Sequence, residues 1–145
     1  MTNSLEVTQT PGADDLAHLG AQLSAFNDGD VGPAGRVALC VLVRDEAGVI
    51  VAGISGYTAW GWLYIQWLWV DEALRGQKIA GRMLDAAETE AVQRGCHGSY
   101  IDTFNHLALK VYQRQGYHPF GALENFPLGR TRTFLSKKLT DSAAG

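Results

Sequence analysis

The sequence contains little cysteine, little proline and no excess of positive charge. It holds two cysteines and four prolines in 145 residues, and its formal net charge at pH 7 is −3. Two cysteines are too few for a disulfide scaffold, and Cys40 and Cys96 are not spaced like metal ligands. We expect reduced thiols in a cytoplasmic protein, although the count also allows one structural disulfide. The acidic balance argues against a protein that binds nucleic acid or an anionic membrane surface.

Long apolar runs are also absent. The most apolar window covers only residues 60–70 and contains Gln66, whereas a membrane-spanning helix needs about 20 apolar residues. The N-terminus lacks the basic stretch followed by an apolar run that is typical of a signal peptide. We therefore expect a soluble protein without a membrane span.

Apolar residues are abundant enough for a core. Hydrophobic residues make up 46% of the chain and charged residues 19%, a composition typical of a folded protein rather than a disordered one. No internal repeat or linker-like stretch divides the sequence. The length is close to that of one domain, so we predict a single domain over residues 1–145.

The periodicity of apolar residues predicts the element order β-α-βββ-α-β-α-ββ. The predicted strands cover residues 5–10, 37–43, 49–57, 63–70, 99–103, 117–123 and 133–139. The first helix begins at Asp14-Asp15 and ends before a loop over residues 27–33. The second begins at Ile79 and closes at Gly95, and the third begins after Asn105. The strand–helix–strand unit over residues 63–102 implies a local parallel pair. We predict an α/β (α+β) fold, a mixed, mostly antiparallel central sheet flanked by helices.

Residues 70–82 run from a strand end through a glycine-containing turn into a long amphipathic helix. A helix N-terminus offers unpaired backbone N–H groups and a partial positive charge, which suit a phosphate. Arg75, Lys78 and Arg82 add positive charge there. Alternatively, Gly76 and Gly81 serve only the turn and the packing, and the cations are solvated. The stretch is neither a nucleoside-triphosphate loop nor a dinucleotide fingerprint, because the required residues are missing.

Two segments resemble signatures of the GNAT superfamily of N-acetyltransferases. The loop Arg75-Gly76-Gln77-Lys78-Ile79-Ala80 is similar to the family's acyl-CoA pyrophosphate loop, Gln/Arg-x-x-Gly-x-Gly/Ala, with Lys78 in place of the central glycine. The segment Asn105-x-x-Ala108-x-x-x-Tyr112-x-x-x-Gly116-Tyr117 is similar to its second signature. Residues 121–139 resemble the terminal hairpin of small bacterial members, and the element order agrees over nearly the whole chain.

The resemblance implies a GNAT fold that uses acetyl-CoA and no metal. Backbone groups of residues 68–70 would bind the pantetheine arm, the amides of residues 75–81 would hold the pyrophosphate, Asn105 would touch pantetheine, and Tyr112 would stand near the sulfur. The implied set is Leu68, Trp69, Val70, Arg75, Gly76, Gln77, Lys78, Ile79, Ala80, Gly81, Asn105 and Tyr112. Lys78 would either crowd the phosphate, if the loop needs glycine's freedom, or add an ammonium that helps to bind it.

The implied reaction is direct attack of an amine on the thioester. Tyr112 would protonate or hydrogen-bond the leaving thiolate; the alternative is a core tyrosine on the same helical stripe as Ala108. Asp102 is our candidate for the base. Other candidates are Glu72, Glu124, His106 and an ordered water, and each of these side chains can also be explained as a cap, turn or surface residue.

The acceptor is expected to be a small-molecule primary amine. The acidic net charge gives no reason to expect nucleic acid, and the chain has no linker that could dock a macromolecule. Family likeness places the acceptor pocket at Phe26, Asn27, Tyr57 and Trp60. The runner-up is an enzyme that acetylates a protein N-terminus or lysine. A third interpretation is a non-catalytic acyl-CoA-binding module, because Lys78 departs from the glycine of the family's loop. The aromatic strands and the terminal hairpin would suit a homodimer, although tryptophans on a sheet are also common in cores.

Overall fold

The structure is a computed structural model that describes residues 3–140. Its chain forms two compact units, one up to Ala34 and the other from Gly35 onward, which we describe separately. No helix within the described residues has both the length and the apolar character needed to cross a membrane.

The first unit consists mainly of helix α1, Ala13–Val31. Asp14 and Asp15 lie in its first turn, as predicted, where they complement the helix dipole. The loop predicted at residues 27–33 begins too early, because the helix continues to Val31. Polar residues and a glycine each cost a helix under about 1 kcal/mol, and an established helix tolerates them. The helix stops at Gly32, whose φ of 91° leaves the helical region.

The strand predicted over residues 5–10 is wrong. These residues form neither helix nor strand, and Leu5 and Val7 are almost fully exposed. A short alternating segment becomes a strand only when a neighbouring strand accepts its hydrogen bonds. Here Thr10 N donates instead to Thr8 Oγ1 at 3.0 Å, a local turn contact.

The second unit is built on a six-stranded sheet of order β1-β2-β3-β4-β6-β5. The strands are β1 (Val37–Arg44), β2 (Ile50–Ala59), β3 (Trp62–Val70), β4 (Gly98–Thr103), β5 (His118–Glu124) and β6 (Thr131–Lys138). Only the β3–β4 pair is parallel. The predicted mixed, mostly antiparallel sheet is therefore confirmed, with strand limits shifted by a few residues.

Helices α2 (Ile79–Gln93) and α3 (His106–Arg114) bury their apolar sides in one core with the sheet. A short 3-10 helix, Glu72–Leu74, links β3 to α2. Alternation along each strand decides which side chains enter the core. The core residues are Leu39, Ala52, Ile54, Leu63, Ile65, Met83, Leu84, Ala87, Ala91, Cys96, Ile101, Tyr112, Tyr117 and Leu135. Glu90 and Arg94 form an ion pair at 2.8 Å at the end of α2.

A bulge in β3 opens the sheet. Ser55 pairs with Trp67 and Gly56 pairs with Ile65, so Gln66 is an extra residue without a partner in β2. A Cβ on Gly56 would lie 1.9 Å from the Tyr64 carbonyl oxygen, so only glycine permits this close approach. This is a β-bulge, in which β3 carries one residue more than β2. The parallel pairing of β3 with β4 ends at this point, at Ile65.

Candidate active site

A cleft of about 380 Å³ lies where β3 and β4 part beyond Ile65. Its lining includes residues 65–68 of β3, the end of β4 and the following turn, and side chains from α3 and β6. Of the residues predicted for the site, the cleft brings together Leu68, Asp102, Asn105 and Tyr112.

Tyr112 reaches the cleft because α3 begins at a side-chain cap. Asn105 Oδ1 accepts hydrogen bonds from the backbone N–H groups of Leu107 at 2.9 Å and Ala108 at 3.0 Å. The cap predicted from the sequence is confirmed. Tyr112 follows two turns later and is 5% exposed. Its side chain belongs to the core and lines the cleft at once, so the two interpretations of this residue are compatible.

The phenol of Tyr112 is a weak acid in this setting. Burial, and secondarily the negative charge of Asp102, raise its pKa to about 12. Both causes disfavour the phenolate. The group therefore stays protonated at neutral pH and can act as a hydrogen-bond donor in the cleft.

Asp102 is held at the cleft by two partners. Arg132 Nε donates to Oδ1 at 2.8 Å, and its Nη2 forms an ion pair with the same oxygen at 2.7 Å. The Tyr64 hydroxyl donates to Oδ2 at 3.3 Å. Burial and this carboxylate raise the pKa of Tyr64. Sequence reasoning missed Arg132, which lies 30 residues from Asp102 and just before the predicted strand over residues 133–139.

The loop between β3 and α2 is held by local hydrogen bonds and leaves backbone N–H groups at the start of the helix. Asp71 Oδ2 accepts from Ala73 N, and Arg75 Nε donates to Val70 O at 3.3 Å, which folds the chain back on the strand end. Gly76 has φ 86°, a conformation that favours glycine. The N–H of Arg82 donates to Lys78 O, so the amides of residues 79–81 precede the first hydrogen bond of the helix.

Lys78 occupies the backbone conformation of a glycine. It is the N-cap of α2 with φ 61° and ψ 25°, in the left-handed region. A side chain in that region costs about 1–2 kcal/mol. The loop keeps its turn with a lysine at this position, and the strain falls on Lys78 itself. Its ammonium is thereby placed at the exposed N-terminus of the helix.

The remaining candidates lie away from the cleft lining. Tyr57 lies on β2, where the Arg36 guanidinium stacks on its ring at 3.8 Å, and Trp60 lies in the turn between β2 and β3. Phe26 and Asn27 belong to α1 in the first unit. The alternative bases Glu72, Glu124 and His106 do not line this cleft, and Trp69, Val70 and residues 75–81 lie beyond it along β3 and its loop. Across residues 3–140, no cluster of His, Cys, Asp or Glu side chains is arranged to hold a metal ion.

The chain is similar in sequence and in fold to known acetyltransferases. Residues 9–117 match the Acetyltransferase (GNAT) family. An acetyltransferase of Agrobacterium fabrum is 42% identical over 116 residues, which cover 80% of this chain and 85% of the relative. The blasticidin-S acetyltransferase of Streptomyces morookaense is 36% identical over 95 residues, 65% of this chain and 70% of the relative. A crystal structure of an Agrobacterium tumefaciens acetyltransferase, 37% identical, superposes with a TM-score of 0.89 and covers 94% of this chain and 99% of its own.

Proposed function

Because the chain belongs to the GNAT acetyltransferase family, and with it to the acetyl-CoA-dependent acyltransferases, we propose that it acetylates the primary amine of a small molecule. The observation that carries this proposal is the cleft beyond the β3 bulge. It places a buried, protonated phenol, Tyr112, in the same lining as a carboxylate, Asp102.

In this proposal the donor lies along β3 and the loop after it. Backbone groups of Leu68, Trp69 and Val70 bind the pantetheine arm, and the amides of residues 75–81 bind the pyrophosphate. The bulge at Gln66 supports this placement, because it frees β3 from β4 where the thioester must enter. The Oδ1 of Asn105 already caps α3, so its amide nitrogen is the group that would touch pantetheine.

The proposed reaction is a direct transfer. The neutral amine attacks the thioester carbonyl, a C–N bond forms, and the C–S bond breaks. A backbone N–H at the splayed strand stabilises the oxyanion, a kind of contact worth about 3–4 kcal/mol in other acyl transfers. Tyr112 hydrogen-bonds the departing thiolate, which leaves as CoA thiolate and takes its proton from solvent. Asp102 takes up the proton that the amine loses.

A small acceptor is supported by the relative named for blasticidin S and by the modest volume of the cleft. Acetylation of a protein N-terminus or lysine is the alternative, and a screen of peptides against small amines separates the two. Turnover of peptides alone would exclude the small-amine proposal. A single domain, homodimer assembly, a cytoplasmic location and the acceptor roles of Phe26, Asn27, Tyr57 and Trp60 remain predictions.

We expect acetyl-CoA to raise the melting temperature of the protein. At about one hundred times its dissociation constant, a ligand stabilises the native state by about 2.7 kcal/mol. For a chain of this size that corresponds to a rise of about 5–10 °C. Differential scanning fluorimetry measures it, and thiol release with blasticidin S and a panel of simple amines then measures turnover. A shift without turnover would favour a non-catalytic acyl-CoA-binding module, and no shift with any acyl-CoA would contradict the proposed donor site.

Substitutions of Lys78 separate its two effects on the loop. Lys78→Gly and Lys78→Ala both remove the ammonium, but only glycine accepts φ 61° without strain. We expect the glycine variant to be more stable than the alanine variant by about 1 kcal/mol in urea unfolding. If the ammonium binds the CoA phosphates, Lys78→Ala weakens acetyl-CoA binding severalfold at low salt and much less at high salt. Tighter acetyl-CoA binding by both variants would mean that the lysine obstructs the phosphate.

A further inference from the structure

The face of the sheet turned away from the core carries the polar side of the cleft. Alternation places Ile101 and Leu135 in the core, so Asp102 and Arg132 point to the opposite face. Beyond the bulge, Leu68 packs on the core and Trp67 therefore lies on the same side as Asp102. The ion pair and Trp67 thus meet at one mouth of the cleft.

Asp102 retains capacity for a further donor. The hydrogen bond from Arg132 Nε at 2.8 Å and the ion-pair contact of its Nη2 at 2.7 Å both involve Oδ1. Oδ2 receives the Tyr64 hydroxyl at the longer distance of 3.3 Å. A carboxylate oxygen can accept two donors, so Oδ2 is the oxygen able to bind an ammonium group that enters the cleft.

Arg132 is itself fixed by aromatic rings. Its guanidinium carbon lies 4.7 Å from the centre of the Phe126 ring and 5.1 Å from that of Phe134. Phe126 is anchored in turn, because its N–H donates to Arg130 O at 3.0 Å. A planar guanidinium held in this way fixes the carboxylate it binds, which a lysine ammonium could not do equally well.

Exposed rings surround the ion pair. Trp67 is 68% exposed, Phe104 46% and Phe126 43%, and all three line the cleft. Large exposed rings beside a charged pair are an unfavourable surface unless a ligand covers them. Aromatic faces also favour a cationic nitrogen and flat apolar groups.

We propose that Arg132 is a positioning residue that orients Asp102 toward the acceptor nitrogen, and that the acceptor is a primary amine attached to a flat apolar group that packs against Trp67 and Phe126. This inference rests on the proposed function, since it assigns the acceptor side of the same cleft. Arg132 does not touch the reacting atoms. It acts by holding the carboxylate that does.

The first test measures the Michaelis constants of both substrates in thiol-release assays, with phenethylamine as the probe amine. Arg132→Met should raise the KM for the amine about tenfold through loss of orientation, with the KM for acetyl-CoA unchanged. The KM of Arg132→Lys for the amine should lie between those of Arg132→Met and the wild type. Arg44→Met, which removes an arginine that donates to Gly48 O on the first hairpin, is the matched control.

A loss of folding is distinguished by a second variant. Asp102→Asn combined with Arg132→Met removes both charges, so no charged group is left unpaired in the cleft. A double variant that still shows the acetyl-CoA melting shift shows that the fold does not depend on this pair, so a raised amine KM in Arg132→Met alone supports the positioning role. Equal increases in both Michaelis constants with a lower melting temperature, or no change in amine KM in Arg132→Met, would overturn it.

The second test concerns the flat group. Trp67→Leu should lower kcat/KM for phenethylamine severalfold relative to butylamine, whereas Phe120→Leu, an exposed ring on β5, should leave the ratio unchanged. An equal effect on both amines, or turnover of butylamine alone by the wild type, would overturn the flat-group assignment. A wild type that binds acetyl-CoA but acetylates no amine would overturn the proposed function and this inference with it.

Discussion

Tyr112→Phe should lower kcat about a hundredfold while leaving the dissociation constant of acetyl-CoA within about twofold of the wild type. Phenylalanine keeps the ring that packs in the core and removes only the hydroxyl that lines the cleft. The pKa of this phenol is raised to about 12, so full proton transfer to a thiolate with a pKa near 8.5 is uphill by about 5 kcal/mol. We therefore expect Tyr112 to hydrogen-bond the thiolate rather than to protonate it. The loss of kcat should lie at the low end of the range seen when a general acid is removed. Stopped assays of thiol release and calorimetric titration measure the two quantities.

Tyr100→Phe is the matched control for this substitution. Tyr100 is also a tyrosine whose pKa burial raises to about 12, and it lies outside the cleft lining. Loss of the Tyr100 hydroxyl should leave kcat within about twofold of the wild-type value. Equal rates for Tyr112→Phe and the wild type would remove Tyr112 from the mechanism.

The raised pKa of Tyr112 also fixes a pH window. The folded pKa of about 12 exceeds the ordinary value of 10.0, so the neutral form is favoured in the native state. The contribution of this pKa shift to the free energy of unfolding is complete below pH 10. It is lost as the pH rises from 10 toward 12, by up to about 2.7 kcal/mol. Within the range where the protein is stable, activity should therefore show no decline that arises from ionisation of Tyr112.

Most of the fold could be predicted from the sequence because its elements carry local signals. The change of period after Val70 and the Asn105 cap both predicted what the structure contains. The prediction failed where the outcome depends on distant partners or on helix propagation. The alternating residues 5–10 have no neighbouring strand to pair with, and α1 extends over polar residues until Gly32 stops it.

The candidate site was predictable only in part for the same reason. Tyr112 and Asn105 follow from spacing along one helix, and both line the cleft. Arg132 could not be assigned, because its pairing with Asp102 depends on β6 entering the sheet beside β4 across 30 residues of sequence. The left-handed backbone of Lys78 was indicated only by the glycine that the family has at this position, since lysine itself rarely adopts it.

A buried polar network beneath the terminal hairpin escaped sequence reasoning entirely. Glu88 on α2 is 8% exposed. Its Oε1 accepts from Lys137 Nζ at 2.6 Å and its Oε2 from the Tyr117 hydroxyl at 3.0 Å. That hydroxyl also lies 2.8 Å from Ser99 Oγ. Burial and the Glu88 charge raise the pKa of Tyr117. The network joins α2, β4 and β6, so its members depend on one another.

Lys137→Met should lower the free energy of unfolding by about 3 kcal/mol. The substitution removes the ammonium and leaves the buried Glu88 carboxylate with the Tyr117 hydroxyl as its remaining hydrogen-bond donor among the described residues. Breaking a buried pair costs about 3–5 kcal/mol, and the lower end applies because Lys137 keeps some contact with solvent. The melting temperature should fall by about 6–12 °C. Urea unfolding measures the free energy directly.

Two further variants decide whether the unpaired charge is the cause. Lys138→Met removes the neighbouring exposed lysine and should change stability by less than about 0.5 kcal/mol. Glu88→Gln combined with Lys137→Met removes both charges and should recover part of the loss, because a neutral amide is less costly to bury than a lone carboxylate. If the double variant were as unstable as the sum of its single changes, the loss would arise from packing of the lysine stem. Recovery of stability in the double variant would show that Lys137 is needed to neutralise the Glu88 carboxylate. It would also show that α2 and the terminal hairpin are coupled through this charge pair.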